Sequence, residues 1–431
     1  MASSNEYVTQ SDVKKNPKKY NPDFDLIMAD SLAQNEWPKQ LKTGQPKGDE
    51  HLSIMAQIMT KDLFEKLKVL KTSTDGGGAG WTMARAINTG VCYPNSFVGC
   101  HAGDAESYTL FKDLFHPAIE KYHIGYKMDG SQKHITDMNP DKISTALTQD
   151  AKDKIVSTRI RVARNLKCFP LNPGGTLETR MKIAEVMEKV FASFGGDLAG
   201  TFYRHSDMTA QQEKELVDGH YLFRGKDKMQ AASGYHQFWN KGRGIFLNKT
   251  KTFIVWVNEG DHIRIISMEQ GGDIKSVFTR LSRAIAAIES ALPKAIKSVT
   301  KETVQAGEVF ASDPVLGLIT CCPSNLGTGM RGSVHIKVPT IAKAYGLEKI
   351  DPIAREKAQC QARGSSGEHS EIIDRVDIGN WRRLGFTEYS LVDDLIKGAN
   401  LMSALEDEAI KKEANISKID IADLMKGLKL N

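Results

Sequence analysis

The chain has 431 residues, of which 40% are hydrophobic and 26% charged, with a formal net charge of +5. That length supports a sizeable core and more than one domain. The composition excludes a disordered or fibrous chain, and so small a basic excess argues against a nucleic-acid binder. No apolar run approaches the roughly 18–20 residues of a membrane span. The opening residues MASSNEYVTQ contain no signal-peptide core, and Ala2 excludes N-myristoylation, so a cytoplasmic location is expected. Cys92, Cys100, Cys168, Cys321, Cys322 and Cys360 show no Cys-x-x-Cys spacing and read as reduced thiols.

Residues 1–48 are polar, with Lys14, Lys15, Lys18 and Lys19 close together, and read as a flexible arm. Residues 49–124 read as a small all-helical domain. Met59–Val69 has helical periodicity, and Thr82–Ile87 resumes it after the break Gly76–Gly80. That glycine run lacks a Lys-Ser/Thr ending and a preceding apolar strand, so it reads as a flexible loop and not as a phosphate loop. Residues 125–149 form a polar linker. From 150 to 405 the pattern changes to strands separated by long helices. Ile155–Val162 is a strand, and Thr179–Gly195 a helix with Ile183, Val186, Met187, Val190, Phe191 and Phe194 on one face. Thr252–Val257 and Ile263–Met268 flank a turn and read as a hairpin. Asp273 caps a helix that Pro293 ends. Val315–Cys321 and Val334–Val338 read as two further strands. The large domain is therefore α+β, an antiparallel sheet backed by helices. Residues 406–431 form a charged helical tail.

Chemistry concentrates between the last two strands. Cys322-Pro323-Ser324-Asn325-Leu326-Gly327-Thr328 is followed by Gly329-Met330-Arg331 and Ser333-Val334-His335. The glycines allow close backbone approach to a ligand, and the arginine supplies a planar cation suited to phosphate. Arg159 and Arg161 share one face of their strand, because side chains alternate with a period of two. Such a pair is either a solvated strand face or a place where an anion sits. Arg264 and Arg363 are further cations in short apolar contexts. His220 and His335 are either satisfied core histidines or ligand contacts.

The run Cys322–Thr328 resembles the signature of the ATP:guanidino phosphotransferases, the phosphagen kinases. The resemblance extends from about residue 50 to residue 400, through Gly103–Tyr108, Ser157–Arg161, His220–Phe223, Gly242–Phe246, Val255–Glu259, Ile266–Met268 and Arg382–Gly385. It implies reversible transfer of the ATP γ-phosphoryl group to a guanidino compound. Such transfer needs charge neutralisation and alignment more than covalent help. The family pattern implies nucleotide contacts at Ser157, Thr158, Arg159, Ile160, Arg161, His220, Arg264, Arg331, Gly332, Ser333, Val334, His335, Arg363, Gly364, Ser365, Ser366, Gly367 and Asp377. Mg²⁺ would be held through phosphates and water, with no protein metal cage. Cys322 matches the family's cysteine, and with Glu368 it would clamp the planar guanidinium. Glu368, in Gly367-Glu368-His369, resembles the arginine kinase loop. The short connection Phe97, Val98, Gly99, Cys100, His101 would meet the other end of the substrate.

Two positions depart from the family pattern. After Val255-Trp256-Val257 the family reads Asn-Glu-Glu-Asp, whereas this chain reads Asn258-Glu259-Gly260-Asp261. Gly260 replaces the usual catalytic carboxylate, and Glu259 alternates to the other face. If that carboxylate is the missing element, Gly260→Glu restores turnover, unless the glycine holds a positive-φ turn. In place of a glycine-rich closing loop, the chain has Asp374-Arg375-Val376-Asp377-Ile378-Gly379-Asn380, which would close more stiffly. A second reading follows: a catalytically weakened homologue that binds nucleotide as a scaffold, docked to an assembly, such as the cytoskeleton, by its N-terminal arm and C-terminal tail.

Overall fold

The computed structural model describes residues 36–39, 41–225, 227–364, 374–412, 416, 418–426 and 428. The chain divides into two compact units. One comprises the residues up to His134 with Ala163–Ile265 and Ala287–Gly329; the other comprises Ile135–Val162, Ile266–Ala286 and the residues from Met330 onward.

Among the described residues up to His134, the first unit has helices α1 (Ile54–Ile58), α2 (Lys61–Leu67), α3 (Met83–Cys92), α4 (Ser107–Leu110) and α5 (Lys112–Tyr122), and no strand longer than an isolated bridge. Ser53, Thr60 and Thr82 each accept a backbone N–H of the following helix, caps worth about 1 kcal/mol apiece. Phe64, Trp81, Phe111 and Phe115 are fully buried and form the core of this helical part. Trp37 and Gly44 of the expected arm are tied down. Trp37 packs edge-on against Phe64 at 5.5 Å, and Gly44 N donates to Ala56 O. Residues 1–35 lie outside the described residues. The glycine run is docked, not free: Ala79 N donates to Gly174 O, and a Cβ on Gly77 would lie 2.8 Å from Thr179.

From residue 150 onward the described residues carry ten strands, β1 (Ile155–Arg164), β2 (Gly200–Arg204), β3 (Gly244–Asn248), β4 (Phe253–Val257), β5 (Ile263–Gln270), β6 (Ser312–Asp313), β7 (Gly317–Leu318), β8 (Met330–Lys337), β9 (Cys360–Gly364) and β10 (Arg375–Asn380). Eight form one antiparallel sheet in the order β2-β3-β4-β5-β1-β8-β10-β9, and β6 pairs with β7. In the first unit, the apolar face predicted for the helix beginning near Thr179 packs on this sheet. Phe191 stacks on Phe246 at 4.5 Å, and Phe194 meets Phe246 and Phe253. Burying rings of this size contributes about 1.5–3 kcal/mol each. In the second unit, helix Glu388–Lys411 packs on β8, β9 and β10 and buries Leu391, Leu395, Leu401 and Met402. The expected linker is strapped to that helix, with Ser144 N and Thr145 N both donating to Asp393 Oδ1.

Four sequence expectations need correction. The helix capped by Asp273 runs Ile274–Thr300 with Pro293 inside it. Pro293 removes one intrahelical donor, yet burial of Ala295 and Ile296 beyond it sustains the helix. Val315–Cys321 is mostly irregular, and only Gly317 and Leu318 belong to a strand. Residues 375–380 are not a closing loop but strand β10, paired on both sides. The tail is not separate: its first residues finish Glu388–Lys411, and helix Ile421–Lys426 buries Ile421 and Leu424, with Tyr345 Oη donating to Ile419 O.

Candidate active site

The second unit presents a basic sheet face fixed by strand register. Across β1 and β8, Ser157 lies opposite His335, Arg159 opposite Ser333 and Arg161 opposite Arg331. Asp377 of β10 stands between His335 of β8 and Arg363 of β9. Directly opposed residues in an antiparallel ladder share a face. The register therefore collects Ser157, Arg159, Arg161, Arg331, Ser333, His335, Arg363 and Asp377 on one side. Burial alternates to match: Ser157, Arg159 and Arg161 are half-buried, while Thr158, Ile160 and Val162 are buried on the helix-backed side. Arg331 Nη2 donates to Asp377 Oδ2 at 2.7 Å, and its Nε is buried without a partner. A Cβ on Gly379 would lie 3.3 Å from Arg331 Nη2 and 2.8 Å from Gly332 O, so glycine keeps this side open. Gln361, which sequence reasoning missed, joins the same face and accepts Arg363 Nε and Nη2.

Thr158, Ile160 and Val334 point to the opposite side. Ile160 and Val334 are core, and Thr158 Oγ1 donates to Gly271 O. They can reach a ligand through backbone atoms only, and the same holds for Gly332 and Gly364. Ser365, Ser366, Gly367 and Glu368 lie outside the described residues.

The other candidates belong to the first unit. Cys322 is half-buried at the start of the turn Pro323–Asn325, its Sγ 3.0 Å from Ser324 Oγ. Cys321 is fully buried, its amide donating to Asp261 Oδ1 and its thiol to Gly260 O. Burial holds the Cys321 thiol well above the ordinary range. Ala102 N donates to Cys321 O, so the connection from Phe97 to His101 leads straight to the cysteines. Within it, Val98 and Cys100 are core, Gly99 has a φ of +81° against Ser53, and Phe97 is 57% exposed and edge-on to Tyr122 at 5.5 Å. His101 Nδ1 lies 3.2 Å from Thr89 Oγ1, and desolvation lowers its pKa to about 4, so the ring is neutral near pH 7.

The hairpin tip differs from expectation. Asn258, not Gly260, holds the left-handed conformation, with φ +57°. Glu259 folds back. Its carboxylate accepts Gly260 N and Gln230 Nε2 and pairs with Arg264 Nη1 at 3.1 Å. The charge of Arg264 is thus matched inside this unit. The ring of Tyr235 covers Gly260: a Cβ there would lie 2.6 Å from Tyr235 Cε2. Tyr235 escaped sequence reasoning because nothing in Ser233-Gly234-Tyr235-His236 marks it. His220 is exposed, with φ +58°, just after helix Ala210–Asp218, and His335 is half-buried, so neither is a core histidine. A satisfied core histidine of this unit is His262, whose ring accepts Leu166 N and contacts Pro170 O.

Arginines gathered on one face of an antiparallel sheet form the kind of surface that binds a polyanion. The family model of the ATP:guanido phosphotransferase C-terminal catalytic domain matches residues 182–409, and that of the N-terminal domain matches residues 49–120. The chain belongs to the ATP:guanido phosphotransferase family. It is 42% identical over 368 residues to an arginine kinase of Anthopleura japonica, covering 84% of this chain but only 48% of that protein, so it spans about half of that relative. It is 40% identical over 363 residues to the arginine kinase of Limulus polyphemus, covering 83% of this chain and 93% of that one. Among solved structures, the substrate-free duplicated taurocyamine kinase from Schistosoma mansoni matches at 32% identity with a TM-score of 0.72, over 86% of this chain and 48% of that one. Lombricine kinase matches at 31% identity with a TM-score of 0.72, over 88% and 97%. Among the described residues no helix is long and apolar enough to cross a membrane.

Proposed function

We propose that this protein catalyses reversible transfer of the γ-phosphoryl group of MgATP to a guanidino compound, in the manner of the arginine kinases it resembles, and so buffers ATP in the cytoplasm. The observation that carries the reading is the arginine face of β1, β8 and β9, where Arg159, Arg161, Arg331 and Arg363 share one side. Like charges opposed across a ladder are destabilising unless an anion neutralises them. The buried, unpartnered Nε of Arg331 fits a polyanionic ligand such as ATP or ADP. In this reading the four arginines neutralise phosphate charge and Ser157, Ser333 and His335 line the nucleotide, while His220 and Arg264 are nucleotide contacts implied by the family resemblance alone. Mg²⁺ would be held by phosphates and water. Cys322 and Glu368 orient the acceptor guanidinium, while Phe97 and His101 meet its other end.

The experiment is a turnover panel with MgATP and L-arginine, taurocyamine, lombricine and creatine, read as phosphagen formation by ³¹P NMR. Turnover of at least one compound supports the reading; turnover of none overturns it. A second reading has an observation of its own. Tyr235 occupies the space over Gly260 where a side chain would stand, which suits a weakly active, nucleotide-binding scaffold held in an assembly through its termini. MgADP binding without turnover would favour it.

A further inference from the structure

We propose that Tyr235 is a specificity-determining residue of the acceptor pocket, its hydroxyl oxygen accepting an N–H of the guanidino group on the side where residue 260 carries no side chain. The inference rests on the phosphotransferase reading above.

Three observations within the first unit carry it. The first is position. The Tyr235 ring lies over Gly260 and meets His101 edge-on at 5.4 Å. Burial first, and then the charges of Cys321, Cys322, Asp261 and Glu259, hold its phenol well above the ordinary range, so it stays protonated. The second is that the other polar groups there are committed. Glu259 is engaged by Arg264, Gln230 and Gly260 N. Asp261 Oδ1 accepts Asn165 Nδ2 and Cys321 N, and its Oδ2 is sealed from solvent. Among the described residues the Tyr235 hydroxyl makes no hydrogen bond, and it is not one of the sealed unpartnered atoms. The third is anchoring. The Tyr235 carbonyl accepts Arg243 Nη2 at 2.6 Å and Arg180 Nη1 at 3.4 Å, and its amide donates to Gln230 O. Both arginines are fully buried and bonded to backbone carbonyls, Arg180 to Asn172 O and Gly234 O, Arg243 to Asn258 O and Gln237 O. Two buried cations therefore fix one segment of backbone and the ring it bears. A pocket group must be held this tightly to set geometry.

The test compares wild type with Tyr235→Phe, which keeps the ring over Gly260 and removes only an oxygen that makes no hydrogen bond among the described residues. The acceptor is whichever compound of the panel wild type turns over best. The expected result is an acceptor KM raised about tenfold or more, as for a lost hydrogen bond to a charged group. The KM for MgATP, the MgADP affinity and Tm should be unchanged. Unchanged acceptor kinetics overturn the assignment, as does an equal loss of MgADP affinity, which would mark a merely structural residue. A wild type that turns over no compound overturns the phosphotransferase reading, and this inference falls with it.

Discussion

Arg161 of β1 stands directly opposite Arg331 of β8, so two guanidinium groups 170 positions apart in the chain share one face of the sheet. Arg331 is held by Asp377 in a largely buried ion pair of 2.7 Å. Arginines gathered on one rigid sheet face make a binding surface for a polyanion, preorganised by the ladder itself.

The first prediction follows from that pair. Millimolar MgADP raises Tm, because a ligand selective for the native state stabilises it by mass action. Arg331→Ala abolishes the increment. It also lowers the ligand-free Tm, since it leaves the buried Asp377 carboxylate unpaired. The ligand-induced difference, and not the absolute Tm, is therefore what to read by differential scanning fluorimetry. A variant that keeps the full increment refutes the role of Arg331.

The second concerns the acceptor clamp. Glu368→Gln removes a charge from the loop that resembles that of the arginine kinases. It should lower turnover roughly 10²–10⁴-fold, the effect of losing an acid–base or orienting group, and leave MgADP affinity as it was. Parallel loss of both would make the loop a folding element.

A third prediction is acid lability. His101, His134 and His205 are held down to a pKa of about 4, and His236 and His262 to about 3, chiefly by burial. The folded values lie below the unfolded value of about 6.5. The unfolded chain therefore binds more protons, and the stability these neutral rings contribute is complete above pH 6.5 and lost as pH falls toward 4. Each ring contributes a slope of roughly 1.4 kcal/mol per pH unit within that window. Tm should be flat from pH 7 to 8 and should fall steeply between pH 6 and 4.5. His262→Gln, which removes one such ring, should flatten the fall. A Tm independent of pH down to 4.5 would contradict the assignment.

Much of the candidate site's arginine face was legible because strand alternation is local. Arg159 with Arg161, and Arg331 with Ser333 and His335, can each be put on one face from a single stretch of sequence. That the two faces coincide is a matter of register between strands far apart in the chain, which no local pattern encodes. The helix Leu177–Phe191 was visible in its apolar spacing, and Thr176 supplies its cap. Pro293 misled, because tertiary burial outweighs a single lost donor. Glu259 misled for a different reason: alternation places a Cβ, but a long side chain in a turn can fold back on its neighbour's amide. Tyr235 could not be found at all, since its partners, Gly260, His101 and two buried arginines, come from four separate segments.

The last prediction revises what Gly260 implies. Its φ is outside the positive range, so backbone strain is no obstacle to a side chain there. The obstacle is Tyr235, whose Cε2 and Cδ2 would lie 2.6 and 3.0 Å from a Cβ at residue 260. The ring cannot easily retreat while Arg180 and Arg243 hold its backbone. Gly260→Glu alone should therefore overpack the hairpin tip, lower Tm by an amount equivalent to about 1–3 kcal/mol, and reduce turnover. Removing the ring changes the outcome. In Tyr235→Ala/Gly260→Glu the new carboxylate has room, so the double variant should melt above Gly260→Glu. It should also turn over the acceptor faster than Tyr235→Ala by about tenfold, or 1.4 kcal/mol of barrier. Contacting residues give non-additive cycles of this kind. Tm and initial rate, measured on all four proteins of the cycle, decide it. Strict additivity would mean that the ring and residue 260 do not compete for the same space, and a double variant no faster than Tyr235→Ala would mean that a carboxylate there does not serve the acceptor.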